Sequence, residues 1–409
     1  MLHRVYLSPG MFGFGRLASY DYFVHLEKAI GDRIRAAGDQ VKIHVAHVMP
    51  NASIRRRALK LAELVSNTCI DDRGPIHLVG HSTGGLDARL VASPTVSLGT
   101  GCAAQTWLDR LSSVTTINTP HYGTPLASFF TTVSGQRALR ALSALTVVAL
   151  SVGAPPLAAV GALVAAFGRV DKTLGFKLKM LDRATELLLR QIDDVRSPEI
   201  RQYVDAVRVD NGAMVQLMPE AMDLFLAGVE DRAGVLYQST VSTAPSPSPR
   251  TFLHALTGPW RALSGAIFAL IYGITARYDP CYPCAAPAMP DIGPSTRSEN
   301  DRALTAALGH LPDLRANDGA VPIRSQIWGR LVWAGYADHL DVLGHFDGSP
   351  PGLRFLRPRT PPGEAPHVDW LSSGSGFDRA RFASLMDAIA AGMLESVRAP
   401  QRATGSTSL

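Results

Sequence analysis

Hydrophobic positions in the first third of the chain switch period several times. "RVYL" (4–7), "VKIHVAHV" (41–48), "IHLV" (76–79) and "VTTIN" (114–118) are short runs rich in β-branched residues, and each reads as a strand. Between them, "YDYFVHLEKAIGDRIRAAG" (20–38) sets Phe23, Leu26, Ile30 and Ile34 at helical spacing and stops at Gly38. "SIRRRALKLAELV" (53–65) does the same with Ile54, Ala58, Leu61 and Val65. Strands that alternate with helices predict a mostly parallel, doubly wound sheet covered on both faces. Ligands then sit at the carboxyl ends of the strands.

The alternation stops after "TPHYGTPLASFF" (119–130). Residues 131–205 read as helix without strands. They contain "ALSALTVVALSVGAPPLAAVGALVAAFG" (141–168), which has no charge and is divided by Pro155 and Pro156. Each half is too short to cross a bilayer, which takes ~20 apolar residues. "GVLYQSTV" (234–241) returns to strand, "ALSGAIFALIYGITA" (262–276) is a second apolar run, and "RLVWAGYA" (330–337) reads as the last core strand. A closing helix carries Phe382, Met386, Ile389, Met393 and Val397 on one face.

The strand at 76–79 runs straight into "GHSTGG" (80–85) and then a helix-compatible stretch. A strand that turns directly into a helix crowds its apex residue, and glycines two positions before and after make room. Ser82 is that apex, in the GxSxG arrangement of an α/β-hydrolase nucleophile elbow. A serine nucleophile needs a base, an orienting acid and oxyanion donors. In chain order the acid precedes the base, and "ANDGAVP" (316–322) offers Asp318 while "ADHLDVLGHF" (337–346) offers His339 directly after the last strand. His345 and His367 are rival bases. His345 sits in an apparent helix, His367 lies beyond the point where the core is complete, and His81 neighbours the serine but points away from its side chain. The oxyanion donors expected are the N–H groups of Thr83, at the helix start, and Met11, in the glycine-rich "SPGMFGFG" (8–15).

Taken in order, "PGMFGFG…YDYFVHL", "GHSTGGLDAR", "TINTPHYGTPLASFF", "NDGAV" and "DHLDVLG" resemble the bacterial true lipases of the Pseudomonas and Burkholderia type. The likeness covers roughly 3–130, 205–243 and 299–347. It implies an α/β-hydrolase fold with helical lid insertions, a Ser82–Asp318–His339 triad, oxyanion donors at Met11 and Thr83, and ester cleavage in a lipid or other acyl-ester substrate. It also implies a structural calcium ion, with Asp341 as one ligand and the second near Ser298, Glu299 or Asp301. Two departures stand out. Pro9-Gly10 replaces the family's usual His-Gly, which removes a loop-bracing side chain. Arg324 stands where the family has a disulfide cysteine.

On this reading 1–130 is the core half with the elbow, 131–205 an apolar helical lid or cap, and 206–243 core again. Residues 244–298 form a second insertion with an apolar helix. Residues 299–409 hold the C-terminal half of the core, with the Asp and His loops and the terminal helix. The lid position suggests peripheral membrane contact through 141–168 and 262–276. Fold and elbow leave other acyl chemistry open: transfer to an alcohol, a thioester or polyester substrate, or a catalytically idle membrane-docking scaffold.

Bulk composition adds little against this. Of 409 residues, 46% are hydrophobic and 18% charged, a globular balance. The net charge of +5 is scattered rather than striped with aromatics, so nucleic acid is not an expected partner. No secretory leader pattern follows Met1. The expectation is therefore a cytoplasmic protein, peripheral on the inner membrane, with reduced cysteines. "CYPC" (281–284) is a lone CxxC: a disulfide, half a metal site or an idle turn. No required cofactor is expected.

Overall fold

The computed structural model of the chain describes residues 1–11, 16–17, 20–70, 72–98, 106–152, 174–190, 212–248, 259–279, 281–285, 297–347, 367 and 369–398. Its strands are β1 (Leu2–Ser8), a short antiparallel pair β2 (Arg16–Leu17) and β3 (Tyr20–Asp21), β4 (Gln40–Val45), β5 (Ile76–His81), β6 (Leu111–Ile117), β7 (Leu236–Thr243) and β8 (Arg330–Tyr336). Six of them form one sheet in the order β4-β1-β5-β6-β7-β8, every neighbouring pair parallel. The chain runs from β1 outward to β4, then returns to the other side of β1 with β5. Strand order therefore reverses between β1 and β5, and their carboxyl ends, Ser8 and Gly80, are in register. A crevice opens at such a switch point in a parallel sheet.

The helices are α1 (Val24–Ala36), α2 (Ile54–Thr68), α3 (Thr83–Ala92), α4 (Pro125–Phe130), α5 (Val133–Val152), α6 (Leu174–Leu189), α7 (Gly212–Gln216), α8 (Pro219–Gly228), α9 (Pro259–Thr275), α10 (Arg297–Leu308) and α11 (Arg379–Arg398). Alternation along the strands feeds two cores. Val5, Leu7, Val79 and Ile117 face α1 and α11, packing on Leu26, Ile30, Ile34, Met386 and Ile389. Tyr6, Leu78 and Val114 face the other way, onto Ala58, Leu61 and Val65 of α2 and Leu86 of α3. Helix α3 differs from the amphipathic α1 and α2. All ten of its residues are buried, because it lies beneath the turn that it follows and is covered by α2. The protein is thus an α/β fold on a parallel sheet, clad on both faces.

Within 131–205 the described residues form α5 and α6, which pack together and share the Arg137–Asp182 ion pair. Pro155 and Pro156 lie outside the described residues. Among the described residues no helix is long and apolar enough to cross a membrane. Helix α9, the second apolar run, buries Leu263, Ile267, Phe268 and Tyr272 against the core. Its remaining residues from Ala262 to Ala276 are apolar and half-buried, apart from the buried Ser264 and Thr275.

Candidate active site

Ser82 sits between β5 and α3 with φ 54° and ψ −128°, a region that residues with a side chain avoid. Both of its backbone groups are held: its N–H donates to the Ile117 carbonyl at 2.8 Å, and its carbonyl accepts from the Gly85 N–H at 3.0 Å. Crowding dictates the neighbours. A Cβ on Gly80 would lie 2.1 Å from the Gly84 backbone, and one on Gly84 would lie 2.0 Å from the Ser8 carbonyl. One on Gly10 would lie 2.8 Å from the Ser82 Cβ. The loop after β1 therefore rests directly on the turn after β5, as the switch point requires.

His339 follows β8, and its Nδ1 donates to Asp318 Oδ2 at 2.7 Å. An ionised carboxylate only accepts, so Nδ1 carries the hydrogen and Nε2 is left as the basic nitrogen. Asp318 is fully buried and satisfied. Its Oδ1 accepts from the N–H groups of Ala320 (2.9 Å) and Val321 (2.7 Å), and its Oδ2 also accepts from Asn118 Nδ2 at 3.0 Å. The His339 N–H donates to the Asp318 carbonyl at 2.9 Å, tying the two loops by backbone as well.

The rival histidines serve elsewhere. Burial pushes His345 down to about 3, and its ring stands edge-on to Trp370. It follows a 3-10 turn, Asp341–Leu343, rather than lying in the helix that the sequence suggests. His367 donates from Nδ1 to the Gly344 carbonyl at 2.7 Å. His81 contacts the His339 loop: its Nε2 donates to the His339 carbonyl at 2.9 Å. Its Nδ1 must then accept, and Tyr22 Oη donates to it at 2.7 Å. Burial holds His81 well below the ordinary histidine range, which keeps this polarity fixed.

Ser82, His339 and Met11 line one narrow cleft. Its other walls include Leu126 and Ala127 from α4, Leu217, Ala320 and Val321 from the acid loop, and Leu340. Thr83, the first residue of α3, is fully buried.

The loop after β1 does have a brace, supplied from a distance. Arg57 of α2 donates from Nη2 to the Pro9 carbonyl and from Nη1 to the Pro50 carbonyl (3.0 Å). It also pairs with Asp87 at 2.8 Å with both side chains fully buried, and Asp87 accepts from Ser8 Oγ at 2.7 Å. Burial pushes the Asp87 carboxyl up, opposed by Arg57. In the sequence Arg57 is one of three consecutive arginines, and only its place on the buried face of α2 singles it out.

Asp341 is buried, with Oδ2 accepting from the Asp338 N–H (2.9 Å) and Ser375 Oγ (2.6 Å). Asp301, one of the residues near which a second calcium ligand was expected, is instead held by Arg324 at 2.7 Å. Arg324 thus fills the place of the missing cysteine with an ion pair. Among the described residues no three His, Cys, Asp or Glu side chains converge as a metal site. Asp341 instead meets other carboxyls. Burial, reinforced by Asp338 and Asp369, pushes it well above the usual carboxylate range. Burial, reinforced by Asp369, raises Asp338 to about 7. The described cysteines Cys69, Cys281 and Cys284 are free thiols, and burial raises Cys284 to about 12.

No family model matches the chain. A curated relative, the triacylglycerol lipase of Vibrio cholerae serotype O1, is 31% identical over 126 residues, 31% of this chain and 35% of that protein. The chain thus spans about a third of the length of the curated relative it matches. Among solved structures, the Staphylococcus hyicus lipase aligns over 96% of both chains at 14% identity and a TM-score of 0.49. EstA from Clostridium botulinum aligns over 93% of this chain and 87% of its own at 18% identity and a TM-score of 0.44. These relatives are bacterial lipases and esterases.

Two outcomes follow from the buried charges. Arg57→Ala leaves Asp87 unpaired and buried, and is expected to cost about 3–5 kcal/mol in urea unfolding. Arg57→Lys, which keeps the charge but not the fork, should recover only part of that. The second concerns Asp338. The folded chain holds its proton more tightly than the unfolded chain does, so the stability it contributes is greatest at acid pH. That stability is lost as pH rises from the usual carboxylate range through about 7. Asp338→Asn keeps an acceptor oxygen for the N–H groups of Leu340 and Asp341 and removes the titration. Its melting temperature should exceed that of the parent at pH 8, and the gap should close below pH 5.

Proposed function

We propose that the protein is a serine carboxylester hydrolase of lipase type with an α/β-hydrolase fold, acting on lipid or other acyl esters. The observation that carries this reading is the 2.7 Å bond from His339 Nδ1 to the buried Asp318 carboxylate, made beside the cleft that Ser82 enters from a strained strand-to-helix apex. In the proposed reaction Ser82 Oγ attacks the ester carbonyl while its proton passes to His339 Nε2. The oxyanion is held by the N–H groups of Thr83, with the α3 dipole behind it, and Met11. Collapse breaks the ester C–O bond, and the imidazolium returns the proton to the leaving alkoxide. Water, deprotonated by the same nitrogen, then releases the acid and frees Ser82. Asp318 orients the imidazole and stabilises its charged form, staying ionised throughout. No step calls for a metal.

The apolar cleft walls suit an aliphatic acyl chain, and the 31% identity to a triacylglycerol lipase favours a lipid ester over a polar one. A membrane-docking scaffold with no chemistry would have no use for an acid and base bonded in this way. Exposed apolar side chains sit on the elements that border or adjoin the cleft: Val133 just beyond α4, Val215 on α7 and Leu224 on α8. With the half-buried apolar residues of 262–276, they form the surface that we place against lipid, as a monotopic contact.

Ser82→Ala, His339→Ala and Asp318→Asn should each lower kcat on a p-nitrophenyl ester by about 10³-fold or more, with circular dichroism unchanged and with a calcium chelator present throughout. Near-normal turnover by His339→Ala, alongside inactive His345→Ala or His367→Ala, would overturn the assignment of the base. Val133→Asp combined with Leu224→Asp should weaken flotation with vesicles of phosphatidylcholine and phosphatidylglycerol. It should also lower turnover of emulsified ester while sparing dissolved ester. Unchanged flotation and unchanged emulsion turnover would remove the membrane contact from the reading.

A further inference from the structure

Asn118 is the residue after β6 and is fully buried. Its φ is 49°, the left-handed region in which glycine is at ease and most residues with a side chain are not. Nothing about the backbone asks for a side chain there. The Asn118 N–H donates to the Thr240 carbonyl at 3.1 Å, a bond that glycine would keep. The side chain, however, reaches the acid. Nδ2 donates to Asp318 Oδ2 at 3.0 Å and to Ser242 Oγ at 2.6 Å, which uses both amide hydrogens. The orientation of the amide is dictated by its partner. A flipped Oδ1 would face a carboxylate oxygen that can only accept.

The oxygen that Asn118 touches is the one that accepts from His339. Backbone N–H groups hold Oδ1 but leave Oδ2 with His339 alone. Without Asn118, Oδ2 keeps the His339 N–H and loses its second described donor, so that edge of the buried carboxylate is held from one side only. Leaving a buried acceptor short of its donor is costly. Chain separation makes the contact a tertiary device: Asn118 and Asp318 are 200 residues apart.

We infer that Asn118 is a positioning residue for the reaction: its amide fixes the plane of the Asp318 carboxylate, and through it the ring of His339, and this function is what keeps a side chain in a left-handed backbone position. The inference rests on the triad reading above and deepens it. Asn118 touches neither substrate nor serine in this scheme. Its effect belongs to the step in which His339 takes up charge, so it falls on kcat rather than on KM.

Two variants separate donation from space-filling. Asn118→Gly fits the backbone and removes the donor. Asn118→Asp keeps size and shape, tolerates the same φ, and turns a lone-pair acceptor toward Asp318. The expected result is a fall in kcat of about tenfold for Asn118→Gly, with KM unchanged within twofold, and a larger fall, about 100-fold, for Asn118→Asp. A role in packing alone predicts the opposite order. Proton NMR gives a readout independent of turnover. The downfield resonance of the His339 Nδ1 proton, assigned by its loss in His339→Ala, should shift by at least several tenths of a ppm in Asn118→Gly. Melting curves of both variants verify that they fold.

The proposal is overturned if both variants keep the parent kcat while Asp318→Asn is crippled, if Asn118→Asp is the milder change, or if the Nδ1 resonance does not move. If Asp318→Asn itself keeps full activity, the triad reading fails instead. The NMR shift then still decides whether Asn118 orders the His339–Asp318 pair.

Discussion

Where β5 turns into α3, no side chain fits at Gly80 or Gly84. The Gly80 and Gly84 backbones touch, Gly84 lies against the Ser8 carbonyl, and Gly10 lies against Ser82. This close approach is what holds Ser82 at φ 54°. It also explains why α3 is buried on every side and why the loop after β1 must be braced from behind, by Arg57, rather than from within. The strain at Ser82 persists because a parallel sheet with cores on both faces over-determines it. A looser β1–β5 crossing would let the apex relax and the serine retreat.

Asp318 and His339 are placed on a different principle. Their loops are long, and hydrogen bonds set them rather than backbone contact. The acid loop is stitched to the end of β7 by Thr243 and Ala244, to the cap of α4 by Thr124, and to α9 by Thr275. The base loop is pinned through the His339 carbonyl to His81, the residue before the serine in sequence. His81 thus ties the elbow to the His339 loop.

Much of this was legible in the chain because the motifs are local. The four N-terminal core strands, the glycines of the elbow and the Asp318 and His339 loops each occupy a few consecutive residues. Ser82, His339 and Met11 line one cleft, and Asp318 is bonded to His339. Side chains whose meaning depends on remote partners were not legible. Arg57 looks like one of three arginines until its contacts with Pro9 and Asp87 are known, and Asn118 looks like the last residue of a strand run until Asp318 arrives. The surroundings of the calcium ligands that the resemblance implies were not legible either: Asp301 pairs with Arg324, and Asp341 accepts from the Asp338 N–H and Ser375. An uncharged run such as 262–276 carries no sign in its sequence of whether it meets lipid or protein.

Helix α9 has one further consequence. Its C-terminal half supports the acid loop, with Thr275 on the Gly319 carbonyl and Phe268 beneath Gly319. Its N-terminal half holds the segment beyond the base, through Arg261 on Asp347 and Ser264 on Ser372. One rigid rod thus spans the supports of both partners. The two loops therefore take their footing from one common element, and their relative placement does not depend on two supports packed independently.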